Sequence, residues 1–218
     1  MKTAVVKIID SLIERYPSLD ICGQDILLSV EMLINCYKNK NKLLICGNGG
    51  SASDSQHIAG ELMKSFRLKR KIPIETQEKI ENKFPQNSKY YIENLEEPLT
   101  AISLVGETSL ITAYSNDKAS DLIFAQQVYG LGNSGDILLA ISTSGNSKNV
   151  LYACEIAQIK GMKVIGLTGQ SGGKMSSFCD ILIKTPEFET YKIQEYHLPV
   201  YHAICLALEE EFFGEGLI

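Results

Sequence analysis

A glycine-rich turn and the helix that follows it carry the first residues that could do chemistry. Residues 42–46 form a short apolar run of the length expected for a buried strand. The turn Gly47-Asn-Gly-Gly-Ser51 can take positive φ and expose backbone N–H groups. On the helix beyond it, His57 and Glu61 stand four residues apart and share one face. A base and a metal ligand are therefore predicted about one turn beyond a site for an anion or a sugar hydroxyl.

A second polar turn, Ile141-Ser-Thr-Ser-Gly-Asn-Ser147, lies between another apolar run and another helical pattern. Its hydroxyls and backbone N–H groups at a helix N-terminus suit a phosphate dianion without lysine or arginine. The alternative is that these serines only cap the helix. Because capping needs fewer hydroxyls than this turn offers, we interpret it as a phosphate-binding turn.

Residues 166–175 look like a nucleotide-binding P-loop but break its pattern twice. Thr168 stands where the first glycine belongs, and Met175 follows Lys174 where serine or threonine is required. We therefore reject a nucleoside triphosphatase and interpret these glycines as a strand-to-helix turn.

The three histidines, His57, His197 and His202, fall in two predicted helices, each of which also offers oxygen ligands. The spacing supports His57 with Glu61 as ligands of zinc. It supports Gln194 with His202 only weakly, because eight residues advance about 12 Å along a helix. On spacing alone, a metal site and ordinary polar histidines both stay open.

The second half of the chain alternates short apolar runs with helical patterns, which is typical of a parallel sheet covered on both faces. Strands are predicted at residues 42–46, 101–105, 136–141, 163–167 and 180–184. Later helices are predicted at residues 108–127 (one or two helices), 149–160, 172–178 and 190–213. We predict an α/β fold, a doubly wound three-layer sandwich, in a single domain spanning residues 1–218.

Within residues 1–40, two amphipathic helices are predicted at residues 4–16 and 22–38. Because they have no sheet of their own to cover, we expect them to pack on a partner subunit or to cap one end of the sheet. Residues 67–98 are predicted to be an insertion, a charged excursion with one short helix inside. The basic run within it, residues 67–71, is either a solvated face or a rim for an anionic substrate.

Composition narrows the class of protein further. A net charge of −5 argues against nucleic acid as a partner. No apolar stretch reaches the ~20 residues that cross a membrane, and no signal peptide is recognised, so we expect a cytoplasmic protein with no membrane partner. Six cysteines without a C-x-x-C pair predict free, buried thiols.

Four motifs in order give the chain a resemblance to a known family. They are Gly47-Asn-Gly-Gly-Ser51, His57-Ile-Ala-Gly-Glu-Leu62, Ile141-Ser-Thr-Ser-Gly-Asn-Ser147 and Gln194-Glu-Tyr-His-Leu-Pro-Val-Tyr-His202. Together they resemble the phosphoheptose isomerases, the sedoheptulose 7-phosphate isomerases of the sugar-isomerase (SIS) fold, over nearly the whole chain. The resemblance implies a homotetramer with active sites at subunit interfaces and one zinc ion per subunit.

Carried over by position, the resemblance also implies individual roles. Glu61 would be the base, and would also touch the substrate, while His202 would be the acid of an isomerisation through an enediol. The implied zinc ligands are His57, Glu61, Gln194 and His202. The implied substrate-binding residues are Asn48, Gly49, Gly50 and Ser51 on the sugar, Ser142, Thr143, Ser144 and Ser147 on the phosphate, and Gln194.

The chain departs from the family pattern at two places within its motifs, and residues 67–97 also form a longer segment than in the relatives. Ser65 precedes Phe66 where many relatives have arginine, and Arg67 comes after it. Gly106-Glu107 stands where relatives often carry Asn-Asp, and we expect the longer Glu107 side chain to bind a hydroxyl instead. These changes leave the implied catalytic set intact but bear on which sugar is accepted.

The leading hypothesis is an isomerase that converts D-sedoheptulose 7-phosphate to D-glycero-D-manno-heptose 7-phosphate, a precursor of lipopolysaccharide or capsule. One alternative is a non-catalytic SIS protein that binds a phosphosugar or a protein partner, like the replication-initiator-binding relatives. Those relatives lack the complete set of His, Glu, Gln and His. Another is a sugar-phosphate sensor, which we expect to be fused to a DNA-binding module that this sequence does not show.

Overall fold

The computed structural model describes residues 1–215, in which five parallel strands form one sheet in the order β2-β1-β3-β4-β5. The strands are β1 (Leu43–Gly47), β2 (Ala101–Ser103), β3 (Ile137–Ile141), β4 (Lys163–Thr168) and β5 (Ile181–Lys184). The α-helices are α1 (Thr3–Arg15), α2 (Asp20–Lys38), α3 (Gly50–Met63), α4 (Ile74–Lys83), α5 (Ser88–Asn94), α6 (Thr108–Tyr114), α7 (Ile123–Leu131), α8 (Lys148–Ile159) and α9 (Thr190–Phe213). The predicted doubly wound α/β architecture is confirmed.

The interior contains two hydrophobic cores, one on each face of the sheet, because successive side chains along a strand point to opposite faces. On β1, Leu43 and Ile45 join a core with α1, α2, α3 and α9, whereas Leu44 and Cys46 join a core with α7 and α8. All five residues of β1 and of β3 are buried. The continuous apolar runs in the sequence reflect this burial on both faces.

After β1, the chain adds β2 on one side of it and then β3, β4 and β5 on the other side. The order in which strands are added therefore reverses between β1 and β3, which lie side by side. Their register pairs Gly47 with Ile141, so the two polar turns leave the sheet at the same level. Ligands of open α/β folds bind outside the carboxyl ends of the strands at such a reversal point. The fold therefore brings the two predicted binding turns together.

The two N-terminal helices do not behave as expected. Val5 and Leu12 of α1 and Ile26 and Val30 of α2 are buried in the same core as the sheet face and α9. The expectation that these helices have no sheet to cover is wrong for α2, which packs on β5 at one edge of the sheet, whereas α1 packs on α2 and α9. Their burial is accounted for within one chain.

The insertion contains two helices, α4 and α5, where the sequence analysis expected one. No residue of either helix is buried, and several large apolar side chains on or directly beside them are exposed, among them Ile74, Phe84 and Tyr90. A bridge between Lys71 and Glu96 closes the base of the excursion. Pro73 caps the start of α4, and Phe84, directly before Pro85, caps its end, as helix-breaking prolines predict.

The basic run at residues 67–71 is neither a solvated face nor a rim for an anionic substrate over its whole length, because Arg70 is completely buried. Its guanidinium forms an ion pair with Glu209 of α9, with 2.9 Å between Nη2 and Oε1. It also donates to the backbone carbonyls of Leu62 at 2.6 Å and Glu61 at 3.0 Å. Both expectations for the run are therefore wrong at Arg70, which ties the C-terminal end of α3 to α9.

Glu209 completes this connection from the other side. Its carboxylate accepts hydrogen bonds from the backbone N–H groups of Phe66 at 2.7 Å, Arg67 at 2.8 Å and Leu68 at 3.0 Å. A buried carboxylate is tolerated only when it is paired and its lone pairs are used, as they are here. The chain after α3 is consequently held against α9 by charge-assisted hydrogen bonds.

The predictions for α9 and for the cysteines are confirmed in the described part of the chain. The predicted bounds of α9 agree with the structure, and the helix continues through Pro199. All six cysteines are free, and five of them are buried. Among residues 1–215, no helix is long and apolar enough to cross a membrane. Residues 216–218 of the predicted domain lie outside the described residues.

We predict that Arg70→Met lowers the free energy of unfolding by about 3–5 kcal/mol, because it leaves the Glu209 carboxylate buried and uncompensated. Urea denaturation followed by circular dichroism measures this change. Lys69→Met, at the exposed neighbouring position, is the matched control and should change stability by less than ~0.5 kcal/mol. An Arg70→Met protein as stable as the control would show that the ion pair does not hold this region.

Candidate active site

The first polar turn lies at the N-terminal end of α3. Gly49 precedes the helix with a φ of 57°, a conformation that favours glycine. The side chain of Gln194 on α9 approaches Gly50 so closely that a Cβ there would lie 2.4 Å from Gln194 Nε2. Ser51 is buried beneath the turn. The structure thus brings Asn48, Gly49, Gly50, Ser51 and Gln194 together, as the sequence analysis expected.

The second polar turn lies at the N-terminal end of α8. Ser142 and Ser147 face each other with 3.0 Å between their hydroxyl oxygens. Ser147 occupies the N-cap position, yet its side chain makes no capping hydrogen bond. Ser144 accepts a hydrogen bond from the backbone N–H of Asn146 at 3.2 Å. The Ser147 hydroxyl is consequently not used for capping, so the capping alternative does not account for it.

The glycine-rich turn after β4 supports the second polar turn from below. The carbonyl of Thr143 accepts a hydrogen bond from the backbone N–H of Gly169 at 3.0 Å. Gly145 has a φ of 63°, and a Cβ on it would lie only 2.1 Å from the carbonyl oxygen of Gly172. The glycines that resemble a P-loop therefore serve close backbone packing against the serine turn.

One amide pair joins the two polar turns. Asn48 Nδ2 donates to Asn149 Oδ1 at 2.8 Å, and Asn149 Nδ2 donates to Asn48 Oδ1 at 2.9 Å. Asn149 was not predicted from the sequence, because an asparagine inside a helix carries no signal of a partner a hundred residues away. Glu107, at the N-terminal end of α6 after β2, is exposed near the neighbouring strand end.

A separate cluster lies at the C-terminal end of α3, where His57 and Glu61 share a face as their spacing predicted. His57 Nε2 lies 3.3 Å from Glu61 Oε1, and His57 Nδ1 lies 3.0 Å from the hydroxyl of Tyr201. Lys64 donates to the other oxygen of Glu61 at 2.7 Å. Tyr201 was not predicted either, since its role depends on how α3 and α9 pack.

His202 completes this cluster from α9. Its ring lies 5.0 Å from that of His57, edge to face, and 5.4 Å from that of Phe66, measured between centroids. Its Nε2 atom is buried and has no hydrogen-bond partner in the part of the chain described. Burial lowers the pKa of His202 and the neighbouring His57 lowers it further, while the Glu61 carboxylate opposes this change. The ring is therefore a neutral imidazole at neutral pH.

The remaining histidine, His197, lies between these two groups on α9 and is fully buried. Neither ring nitrogen meets a geometrically good hydrogen-bond partner within residues 1–215. Burial lowers its pKa to about 4, against a weaker opposing interaction with the backbone of Thr168. His197 is therefore a neutral interior group and does not join the cluster of His57, Glu61 and His202.

Within one chain, the two clusters stand at opposite ends of α3. Gly50 and Glu61 are eleven residues apart on this continuous helix, which separates them by about 16 Å. Gln194 lies at the Gly50 end, whereas His202 lies at the Glu61 end. Three of the four predicted metal ligands come together and Gln194 does not. Among residues 1–215, no group of three or more His, Cys, Asp or Glu side chains is arranged to hold a metal ion.

Comparison with known proteins identifies the family. A model of the SIS domain matches residues 95–169. The phosphoheptose isomerase of Helicobacter pylori (strain P12) is 42% identical over 195 residues, which cover 89% of this chain and 88% of that protein. Phosphoheptose isomerase 2 of Campylobacter jejuni is 42% identical over 184 residues, covering 84% of this chain and 79% of that protein. The chain belongs to the phosphoheptose isomerase family.

Solved structures agree with this family assignment. A phosphoheptose isomerase from Francisella tularensis superposes with a TM-score of 0.74 at 33% identity, covering 92% of this chain and 94% of that chain. The phosphoheptose isomerase from Neisseria gonorrhoeae gives a TM-score of 0.72 at 33% identity with the same coverage. The resemblance drawn from four sequence motifs is thereby confirmed for the family and for the fold.

We predict that Gly145→Ala weakens binding of inorganic phosphate at least tenfold and destabilises the protein by about 1–3 kcal/mol, because the new methyl group meets a backbone oxygen at positive φ. Calorimetric titration with phosphate and urea denaturation measure the two effects. Gly130→Ala is the matched control, since its Cβ would meet nothing within 4 Å. Equal phosphate affinity in the two variants would contradict the assignment of this turn.

Proposed function

We propose that this chain isomerises D-sedoheptulose 7-phosphate to D-glycero-D-manno-heptose 7-phosphate through an enediol. The observation that carries the proposal is the cluster in which Glu61, His57 and His202 meet at one end of α3. Family membership supports the reaction class, because the relatives with about 40% identity are named phosphoheptose isomerases. The product is a precursor for lipopolysaccharide or capsule.

The phosphate group would bind at the second polar turn. There the hydroxyls of Ser142, Thr143, Ser144 and Ser147 and the N-terminus of α8 favour a dianion. The sugar hydroxyls would extend toward Asn48, Ser51 and Gln194, with Glu107 at the edge. Binding energy from these groups, which do not react, positions the carbons that do.

Glu61 would act as the base and remove a proton from C1 of the ketose. Lys64 and His57 hold its two carboxylate oxygens, so the side chain is already oriented. His202 would give a proton to the oxygen on C2, which produces the enediol. Return of a proton to C2 and loss of the proton on O1 complete the aldose. A carboxylate base with a neutral imidazole is an established pairing for proton transfer beside a carbonyl.

We propose zinc as the cofactor, one ion per subunit, held by His57, Glu61 and His202 of one copy and Gln194 of another. The donor set suits zinc, which binds imidazole nitrogens and carboxylate oxygens. The buried, unpartnered Nε2 of His202 supports this proposal, because such an atom is otherwise costly. When bound, zinc would polarise the carbonyl oxygen as a Lewis acid.

We further propose that the active site is shared between copies in a homotetramer. The separation of about 16 Å along α3 supports this, because one chain does not bring its phosphate-binding turn to its own Glu61. In a shared site, the polar turns and Gln194 of one copy would face His57, Glu61 and His202 of another. The exposed apolar side chains of α4 and α5 offer surface for such association.

We predict that wild-type protein converts sedoheptulose 7-phosphate to an aldose, and that Glu61→Gln and His202→Ala each lower kcat by at least ~10³-fold without changing assembly. Aldose detection and size-exclusion chromatography make the two measurements. Glu14→Gln, an exposed carboxylate on α1, is the control and should be fully active. Normal turnover in Glu61→Gln or His202→Ala would refute its role, and inactive wild type with every ketose phosphate would favour the binding-protein alternative.

A further inference from the structure

Asn149 lies in the first turn of α8 and connects the two polar turns. Its side-chain amide and that of Asn48 donate to each other, at 2.8 Å and 2.9 Å. Its backbone N–H comes two positions after the N-cap residue Ser147, where a helix leaves N–H groups without partners inside the helix. No backbone acceptor bonds this N–H within residues 1–215. One residue therefore contacts the first polar turn with its side chain and belongs to the second with its main chain.

Reciprocal bonding couples the orientations of the two amides. An asparagine side chain has two N–H donors and an oxygen with two lone pairs, and this pair uses one donor and one lone pair on each residue. If one amide turned over alone, oxygen would face oxygen and nitrogen would face nitrogen. The two amides can therefore turn over only together, and each keeps one N–H and one lone pair for a ligand.

The Asn48 side chain depends on this partner. It lies on the exposed turn directly after β1, and Asn149 is its only side-chain hydrogen-bond partner among the described residues. A side chain that two hydrogen bonds already hold loses less freedom when a ligand binds it. Because β1 and β3 pair in register as far as Gly47 and Ile141, the amide pair lies between the two turns that one ligand would have to fill.

We propose that Asn149 is a positioning residue for sugar phosphates. Its side chain holds the Asn48 amide in place for a sugar hydroxyl, and its backbone N–H adds a donor to the phosphate site at the second polar turn. The role rests on the proposed function only in assigning the first turn to the sugar and the second to the phosphate. It requires neither isomerisation nor a metal, and both turns belong to one chain.

Calorimetric titration with inorganic phosphate and with D-sorbitol 6-phosphate tests the proposal. The second probe carries hydroxyls and a phosphate but no carbonyl, so it cannot be isomerised. We expect wild type to bind sorbitol 6-phosphate more tightly than inorganic phosphate. Because Asn149→Ala keeps the backbone N–H, its affinity for inorganic phosphate should stay within about twofold of wild type, whereas its affinity for sorbitol 6-phosphate should fall about tenfold.

A double variant separates positioning from a direct contact between Asn149 and the sugar. If the Asn149 side chain acts through Asn48, Asn48→Ala combined with Asn149→Ala binds sorbitol 6-phosphate no more weakly than Asn48→Ala alone. Asn35→Ala is the control, because Asn35 is an exposed asparagine inside another helix, α2. It should bind both probes as wild type does.

Three outcomes would overturn the proposal. The losses of the two single variants could add in the double variant, or Asn149→Ala could lose as much affinity for inorganic phosphate as for sorbitol 6-phosphate. Wild type could also bind both probes equally tightly, which would show that the first turn does not bind the sugar. Inactivity toward ketose phosphates together with the expected binding pattern would refute only the isomerase assignment.

Discussion

The buried ion pair between Arg70 and Glu209 is the interaction on which the cluster of His57, Glu61 and His202 depends. Helices end with unsatisfied carbonyls, and Arg70 donates to those of Glu61 and Leu62 at the end of α3. Glu209 in turn holds the chain that follows. Because Glu209 is part of α9, this pair sets the distance between α3 and α9. Tyr201 and His202 meet His57 across that same contact.

The sheet imposes a second constraint. Parallel strands place the two polar turns at their carboxyl ends, where β1 and β3 adjoin, and the amide pair of Asn48 with Asn149 locks the turns together. The α3 helix begins at this edge and runs away from it. Residues at its first turn therefore lie beside the second polar turn, whereas residues at its last turn, such as Glu61, lie a helix length away. A site that needs both ends requires a second chain.

Local patterns in the sequence were enough to predict the strands, α9 and both polar turns, since each depends on neighbouring residues. Features that depend on distant partners were not predictable. Arg70 looks like one charge in a solvated run because its partner Glu209 lies 139 residues further along. The surface on which the N-terminal helices pack was not predicted, because an amphipathic pattern does not say which surface a helix covers. Gln194 does not reach His202, because α9 continues through Pro199 and eight residues advance about 12 Å along a helix.

The most direct measurement of the shared site is activity after mixing two inactive variants, Glu61→Gln and Ser147→Asp, by co-refolding. Ser147→Asp places a residue suited to the N-cap position but repels phosphate, so each variant lacks a different half of the site. If sites are shared between copies, about a quarter of them regain both intact halves in a random mixture, and that share of wild-type turnover returns. A mixture no more active than the two separate variants would contradict the account, because each chain would then complete its own site.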